Sequence, residues 1–188
     1  MKYGCSYRVI ELNDSAMTKI QRTLESENLI WKDSLTHQSD VAQSHQDRIS
    51  RQAWIREPKF CQLFIDVARV MNEENWWNLD IGGCEPIQYG IYPEGGKYDW
   101  HVDQHPKPIQ GVVRKISMSL FMNDPTEYEG GEFDLELYKP ETNCRYDTFK
   151  LKRGSAIFFQ SDVWHRVRPV TSGVRKSIVA WFYGPPYK

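Results

Sequence analysis

Apolar residues recur along the first third of the chain at two different periods. Tyr7–Leu12 alternates in the manner of a short strand, and Asn13-Asp14-Ser15 is a helix-start cluster, so a helix is expected to run from there to about Glu25. Leu29-Ile30-Trp31 reads as a second short strand. The stretch Ser34–Gln52 is rich in Ser, Gln, His and Asp, has no clear period, and reads as a long loop. Loops of that length in compact domains serve as lids or binding loops, or simply as solvated connectors. Pro58 opens a stronger helix. Its residues Phe60, Leu63, Phe64, Val67, Val70 and Met71 fall at helical spacing and form one stripe, which is expected to lie on the outside of a sheet.

From Trp76 onward the period changes to two. Candidate strands are Trp77–Ile81, Pro86–Tyr92, Asp99–Asp103, Val113–Asn123, Glu132–Leu137, Tyr146–Leu151, Ala156–Phe159, Trp164–Pro169 and Arg175–Tyr183. Turn signals separate them, notably Gly95-Gly96, Asn123-Asp124-Pro125, Gly130-Gly131 and Ser172-Gly173. A helical prelude followed by many short strands predicts a mainly β, α+β protein: a double-stranded β-helix, or jelly roll, backed by helices. One domain is expected, with residues 1–75 as support and 76–188 as the core. Along 113–123, Ile116, Met118, Leu120 and Met122 share one face, and Ser117, Ser119 and Phe121 share the other. The first is a core face; the second is small and polar enough to wall a pocket.

Composition narrows the function. Lys plus Arg number 24 against 25 Asp plus Glu, so the basic footprint of a nucleic-acid binder is missing. No apolar run reaches the length of a membrane span, and no signal-like segment opens the sequence, which makes the cytosol the expected compartment. Cys5, Cys61, Cys84 and Cys144 form no CxxC pair and read as reduced small hydrophobes rather than a zinc site or a disulfide framework. The high aromatic content, with seven Trp, leaves side chains to spare for lining a pocket.

His101-Val102-Asp103 is the first candidate for chemistry. In an extended chain, residues two apart face the same way, so an imidazole and a carboxylate can approach one ion. Alone, such a pair is a weak signal. His165 is the best third ligand, and two His with one carboxylate make the facial set of non-haem Fe(II) oxygenases. Arg175 lies ten residues beyond His165 across a Thr171-Ser172-Gly173 turn, which is expected to set the two on neighbouring antiparallel strands. A guanidinium there suits a carboxylate ligand. Ser177, Val179 and Trp181 share its face; Ser177 offers a hydroxyl and Trp181 a pocket wall. His105 reads as a rim residue, and His37 and His45 as solvated loop residues.

Four blocks in one order strengthen this reading: YPEGGKYDWHVD (92–103), RKISMSLFMND (114–124), EYEGGEF (127–133) and GSAIFFQSDVWHRVRPVTSGVRKSIVAWF (154–182). They resemble the prolyl 4-hydroxylase class of Fe(II)/2-oxoglutarate dioxygenases, the PKHD-type hydroxylases among them, in the compact form found in bacteria and phages. DRISRQAWI (47–55) resembles the end of the loop that covers the substrate in these proteins, which tips Ser34–Gln52 from connector toward lid. The resemblance implies a double-stranded β-helix, with His101, Asp103 and His165 as iron ligands. It implies that Arg175 pairs with the distal carboxylate of 2-oxoglutarate and that Tyr92 hydrogen-bonds the same group. One departure stands out: some relatives carry a second tyrosine where this chain has Phe121, so either Ser117 or Ser119 is expected to compensate or the pocket holds 2-oxoglutarate with one fewer hydrogen bond.

The resemblance also implies an activity: an oxygenase that uses Fe(II), 2-oxoglutarate and O₂, with ascorbate as a reductant, to hydroxylate an unactivated C–H bond. Succinate and CO₂ are the by-products. The expected substrate is a prolyl residue in a protein or peptide, with a free amino acid or other small molecule as the alternative. A non-catalytic metal-binding jelly roll is disfavoured because it needs neither Arg175 nor Tyr92. Demethylation of nucleic-acid bases is disfavoured by the charge balance.

Overall fold

The computed structural model describes residues 6–34, 47–139 and 144–187. In chain order the elements are β1 (Tyr7–Glu11), α1 (Asp14–Ser26), β2 (Lys32–Asp33), β3 (Arg48–Ile49), β4 (Arg51–Ile55), α2 (Pro58–Glu74), β5 (Gly83–Cys84) and β6 (Ile87–Tyr92). Then come β7 (Lys97–His101), β8 (Val113–Phe121), β9 (Tyr128–Gly130), β10 (Phe133–Lys139), β11 (Cys144–Phe149), β12 (Ser155–Gln160), β13 (His165–Val167), β14 (Val170–Gly173) and β15 (Arg175–Gly184).

Both helices start where side chains satisfy their free N–H groups. The Asn13 side-chain oxygen accepts from the Ala16 N–H at 2.9 Å, and the Glu57 carboxylate accepts from the N–H groups of Lys59 and Phe60 ahead of the Pro58 turn. Met17, Ile20 and Leu24 of α1, and Phe60, Phe64, Ala68 and Met71 of α2, are buried. They pack on one face of a large antiparallel sheet, against Ile116, Met118, Leu120, Phe158, Ile178 and Phe182. The α2 stripe is narrower than its spacing predicts: Val70 is 49% exposed, and Ala68 takes its place against the sheet.

The large sheet runs β1-β12-β8-β15-β6-β4-β2, with β5 added on β15. Its other face meets a smaller antiparallel sheet, β11-β10-β13-β7-β3. Phe121, Ile157 and Phe159 from the first and Phe133, Leu135 and Val167 from the second form the core between them. Two facing antiparallel sheets with helices behind one of them make the jelly roll that the period-two pattern predicts. A two-stranded ribbon, β9 with β14, lies alongside. No helix among the described residues is long and apolar enough to cross a membrane.

Several local expectations are corrected. Leu29–Trp31 is not a strand; the pairing falls on β2, just after it. Trp77–Ile81 joins no sheet, because the Asn72 side chain accepts from the Leu79 N–H and donates to its carbonyl, both at 2.9 Å, which uses the groups a ladder would need. The 34–52 stretch is not loop throughout. Residues 48–49 pair with β7, and β4 enters the large sheet beside β6, while 35–46, His37 and His45 included, lie outside the described residues. Thr171–Gly173 is part of β14 rather than a bare turn. Consequently His165 and Arg175 are not on neighbouring strands: β13 belongs to the small sheet and β15 to the large one, and the two residues face each other across the interior.

Candidate metal and cosubstrate site

His101 ends β7 and His165 opens β13, and the two are direct partners in the antiparallel register. That pairing sets their rings side by side, with centroids 4.1 Å apart. Asp103 lies two residues beyond the end of β7, where the strand has already bent. Its N–H donates to the Ser161 carbonyl at 3.0 Å, and this bend carries the carboxylate in beside the rings. All three residues are buried, and one donor atom from each lies within 4.8 Å of the others. Asp103 Oδ1 is 3.8 Å from His101 Nε2, and Oδ2 is 3.4 Å from His165 Nε2.

The backbone fixes which imidazole nitrogen is available. His101 Nδ1 sits 2.7 Å from the Asp99 carbonyl, and His165 Nδ1 sits 3.0 Å from the Val163 carbonyl. A carbonyl requires a donor, so a neutral ring at either position carries its proton on Nδ1 and turns its Nε2 lone pair toward Asp103. Burial, with the neighbouring His165, pulls the His101 pKa down to about 3, so this ring is neutral at physiological pH. Burial alone would push Asp103 up, but His165, His101, Arg114 and the Ser117 hydroxyl outweigh it and hold the carboxyl below its ordinary value. Asp103 Oδ2 is buried without a hydrogen-bond partner. An ionised carboxylate with an orphaned oxygen, facing imidazole lone pairs, is a donor set that fits Fe(II).

A second charged group faces the same space. Arg175 opens β15, stands directly across from Tyr92 of β6, and is 1% exposed. Nη1 donates to Ser177 Oγ at 3.2 Å, whereas Nε and Nη2 are buried with no partner. The rings of Tyr92 and Phe121 flank the guanidinium at 5.3 and 5.2 Å. A buried cation held by one hydroxyl and two aromatic faces lacks the acceptor that would offset its desolvation, and a carboxylate ligand would supply it.

His101, Asp103, His165, Tyr92, Arg175, Ser177 and Trp181 line one pocket, partly open to solvent. Trp181 closes one side, tilted against Trp54 at 5.8 Å and covered by the Arg114 guanidinium at 4.1 Å. Ser119 lines the cavity too. Ser117 sits beside Asp103 instead, its hydroxyl 2.9 Å from that of Ser161. His105 is half-buried.

Some residues of the site carry no mark in the sequence pattern. Tyr98 stacks on His101, and Arg48 lies 4.4 Å from the Tyr98 ring. Gln88 faces the cavity with its Oε1 unpartnered. The hydroxyl of Tyr128 is buried beside Arg175. For Gln88 a usable signal exists in parity, since it stands four residues before Tyr92 on one strand. Nothing local marks Arg48, which reaches the site only because β3 pairs with β7.

The family model described as 2OG-Fe(II) oxygenase superfamily matches residues 87–183. The chain belongs to this superfamily. A PKHD-type hydroxylase of Colwellia psychrerythraea is 42% identical over 88 residues, covering 46% of this chain and 37% of the relative. The chain therefore matches well under half of that relative's length. In fold it is similar to a viral collagen prolyl hydroxylase from Paramecium bursaria Chlorella virus-1, with a TM-score of 0.70, 20% identity, and coverage of 96% of this chain and 97% of the other. It is likewise similar to a Trichoplax adhaerens prolyl hydroxylase in complex with a hypoxia-inducible-factor peptide fragment, with a TM-score of 0.70, 19% identity, and coverage of 95% and 83%.

Proposed function

We propose that this chain is an Fe(II)- and 2-oxoglutarate-dependent oxygenase that hydroxylates a prolyl residue in a protein or peptide, releasing succinate and CO₂. One observation carries the reading: a buried, unpaired Arg175 shares a cavity with a buried His-Asp-His cluster. The cluster alone would serve any metal binder, and the arginine alone any anion site. Together they suit a ligand that chelates iron at one end and carries a carboxylate at the other. Membership of the oxygenase superfamily supports the reaction type, and the peptide complex of the Trichoplax relative supports the substrate class.

In this reading His101, Asp103 and His165 hold the iron, which supplies O₂ activation when bound together with 2-oxoglutarate. Arg175 neutralises the distal carboxylate in a low-dielectric interior, and Tyr92 and Ser177 orient it. Ser117 supports Asp103 rather than the cosubstrate. Trp181 and Trp54 wall the substrate side and limit water.

The test is 2-oxoglutarate turnover with Fe(II) and ascorbate, with and without proline-containing peptides and free amino acids. Succinate formation coupled to a gain of one oxygen on a peptide prolyl residue is the expected result. Coupling to a free amino acid instead would replace the peptide substrate. No succinate with any substrate would overturn the oxygenase reading.

A further inference from the structure

Tyr128 lies in β9, part of the small ribbon beside the two main sheets. It is 3% exposed, and its hydroxyl lies against the Arg175 guanidinium without a well-aligned hydrogen bond. A tyrosine buried to this depth ordinarily finds one. The charged group that acts on it most strongly is the Arg175 guanidinium, whose Nε and Nη2 are unpartnered. A phenol and two guanidinium nitrogens therefore converge here from two elements with hydrogen-bonding capacity left over.

The surrounding backbone holds this convergence in place. The Lys150 ammonium donates to the Tyr128 carbonyl at 2.9 Å and covers the ring at 4.8 Å. β14 pairs along β9 and fixes the ribbon. Gly131 lets the pieces close up. A Cβ there would meet Val170 Cγ2 at 3.0 Å, Tyr128 Cε2 at 3.1 Å and Arg175 Cδ at 3.2 Å, and its φ of +64° is one that L side chains rarely adopt. Gly131 thus leaves the space in which the Tyr128 ring and the arginine side chain approach each other.

A carboxylate has about four lone-pair positions, enough to accept from both free guanidinium nitrogens and from a phenol at once. The Phe121 ring flanks the guanidinium but has no hydroxyl to give. Ser117 is engaged with Ser161. We propose that Tyr128 is a cosubstrate-binding residue: its hydroxyl donates to the distal carboxylate of 2-oxoglutarate alongside Arg175, supplying from β9 the hydrogen bond that Phe121 cannot make. This rests on the cosubstrate reading of Arg175.

The experiment is calorimetric titration of Zn(II)-loaded, turnover-silent protein, wild type and Tyr128→Phe. The ligands are 2-oxoglutarate and 2-oxobutyrate, which has the same chelating end but no distal carboxylate. A hydrogen bond to a charged group implies that Tyr128→Phe weakens 2-oxoglutarate binding roughly tenfold or more and leaves 2-oxobutyrate unchanged. Removing a hydroxyl that makes no well-aligned bond should also change the ligand-free melting temperature little. Unchanged 2-oxoglutarate affinity, or equal weakening for both ligands, would overturn the assignment of Tyr128 while leaving the enzyme reading intact. If the wild type binds 2-oxoglutarate no more tightly than 2-oxobutyrate, the distal-carboxylate site itself fails, and the role of Tyr128 with it.

Discussion

Tyr98 stacks on His101, with ring centroids 3.5 Å apart and planes within 15° of parallel. The two lie three residues apart on β7, and Tyr98 carries the Arg48 guanidinium on its ring as well. The imidazole plane is thus fixed by a stack, while its proton is fixed by the Asp99 carbonyl. Supporting contacts of this kind are worth about 10- to 100-fold in metal affinity. Tyr98→Leu should therefore weaken binding of a spectroscopically visible divalent metal by about tenfold, with little change in overall fold. Equal affinity in a titration monitored by metal absorption would show that the stack does not orient the ligand.

The pH response of the metal-free protein depends on His101. Its folded pKa of about 3 lies below the ordinary value of 6.5. Between those values the unfolded chain takes up a proton that the folded chain refuses, so stability rises with pH across that window. Acidifying from above pH 6.5 toward pH 3 should progressively lower the melting temperature of metal-free protein. In His101→Gln, which cannot titrate, the fall over the same range should be smaller. Parallel curves for the two proteins would mean that His101 does not stay neutral in the folded state.

Arg175 sets function against stability. A buried guanidinium without a carboxylate costs free energy in the ligand-free protein, and 2-oxoglutarate would offset it on binding. Arg175→Met should therefore raise ligand-free stability by about 1 kcal/mol or more. It should also abolish the thermal stabilisation that 2-oxoglutarate gives the metal-loaded wild type. Thermal melts with and without 2-oxoglutarate check both parts. A destabilised variant that still responds to 2-oxoglutarate would remove Arg175 from the cosubstrate site.

Much of this site is legible in the sequence because its parts are short-range. Parity alone sorts Ile116, Met118 and Leu120 from Ser117, Ser119 and Phe121, and the structure turns the first set toward the helices and the second toward the sheet interior. Spacing marks His101, Asp103, His165 and Arg175, and all four line one cavity. Spacing does not say to which sheet each strand belongs. His165 and Arg175 are close in sequence, which suggests adjacent strands, but β14 intervenes and pairs away with β9, so the chain crosses from one sheet to the other. Likewise Arg48 reaches the cavity and Tyr128 reaches Arg175 through pairings with β7 and β14, which no local pattern encodes. Asn72 prevents the expected 77–81 strand by a side-chain bond that the alternation of apolar residues does not register.

The last prediction concerns how β13 is held. Asp134 of β10 is fully buried and accepts from Thr148 Oγ1 at 2.7 Å, Arg166 Nε at 2.7 Å and Arg168 Nε at 2.8 Å. Arg166 lies within the short β13 and Arg168 just beyond it, and the next pair in the β10–β13 register is Leu135 with His165. A carboxylate so placed fastens the strand that delivers a metal ligand. Burial pushes its pKa up, but the bonds from Arg168, Thr148 and Arg166 prevail and lower it. Its contribution to stability is therefore present above the ordinary value of 3.8 and lost as pH falls through the lower folded value. Asp134→Ala removes one partner and leaves two cations facing each other, so it should destabilise the fold by about 3 kcal/mol. Because β13 is the strand loosened, metal affinity should fall in the same variant although Asp134 touches no ligand. Chemical denaturation and metal titration on one preparation separate the two effects. Loss of stability with metal affinity intact would mean that His165 is held by its pairing with His101 alone.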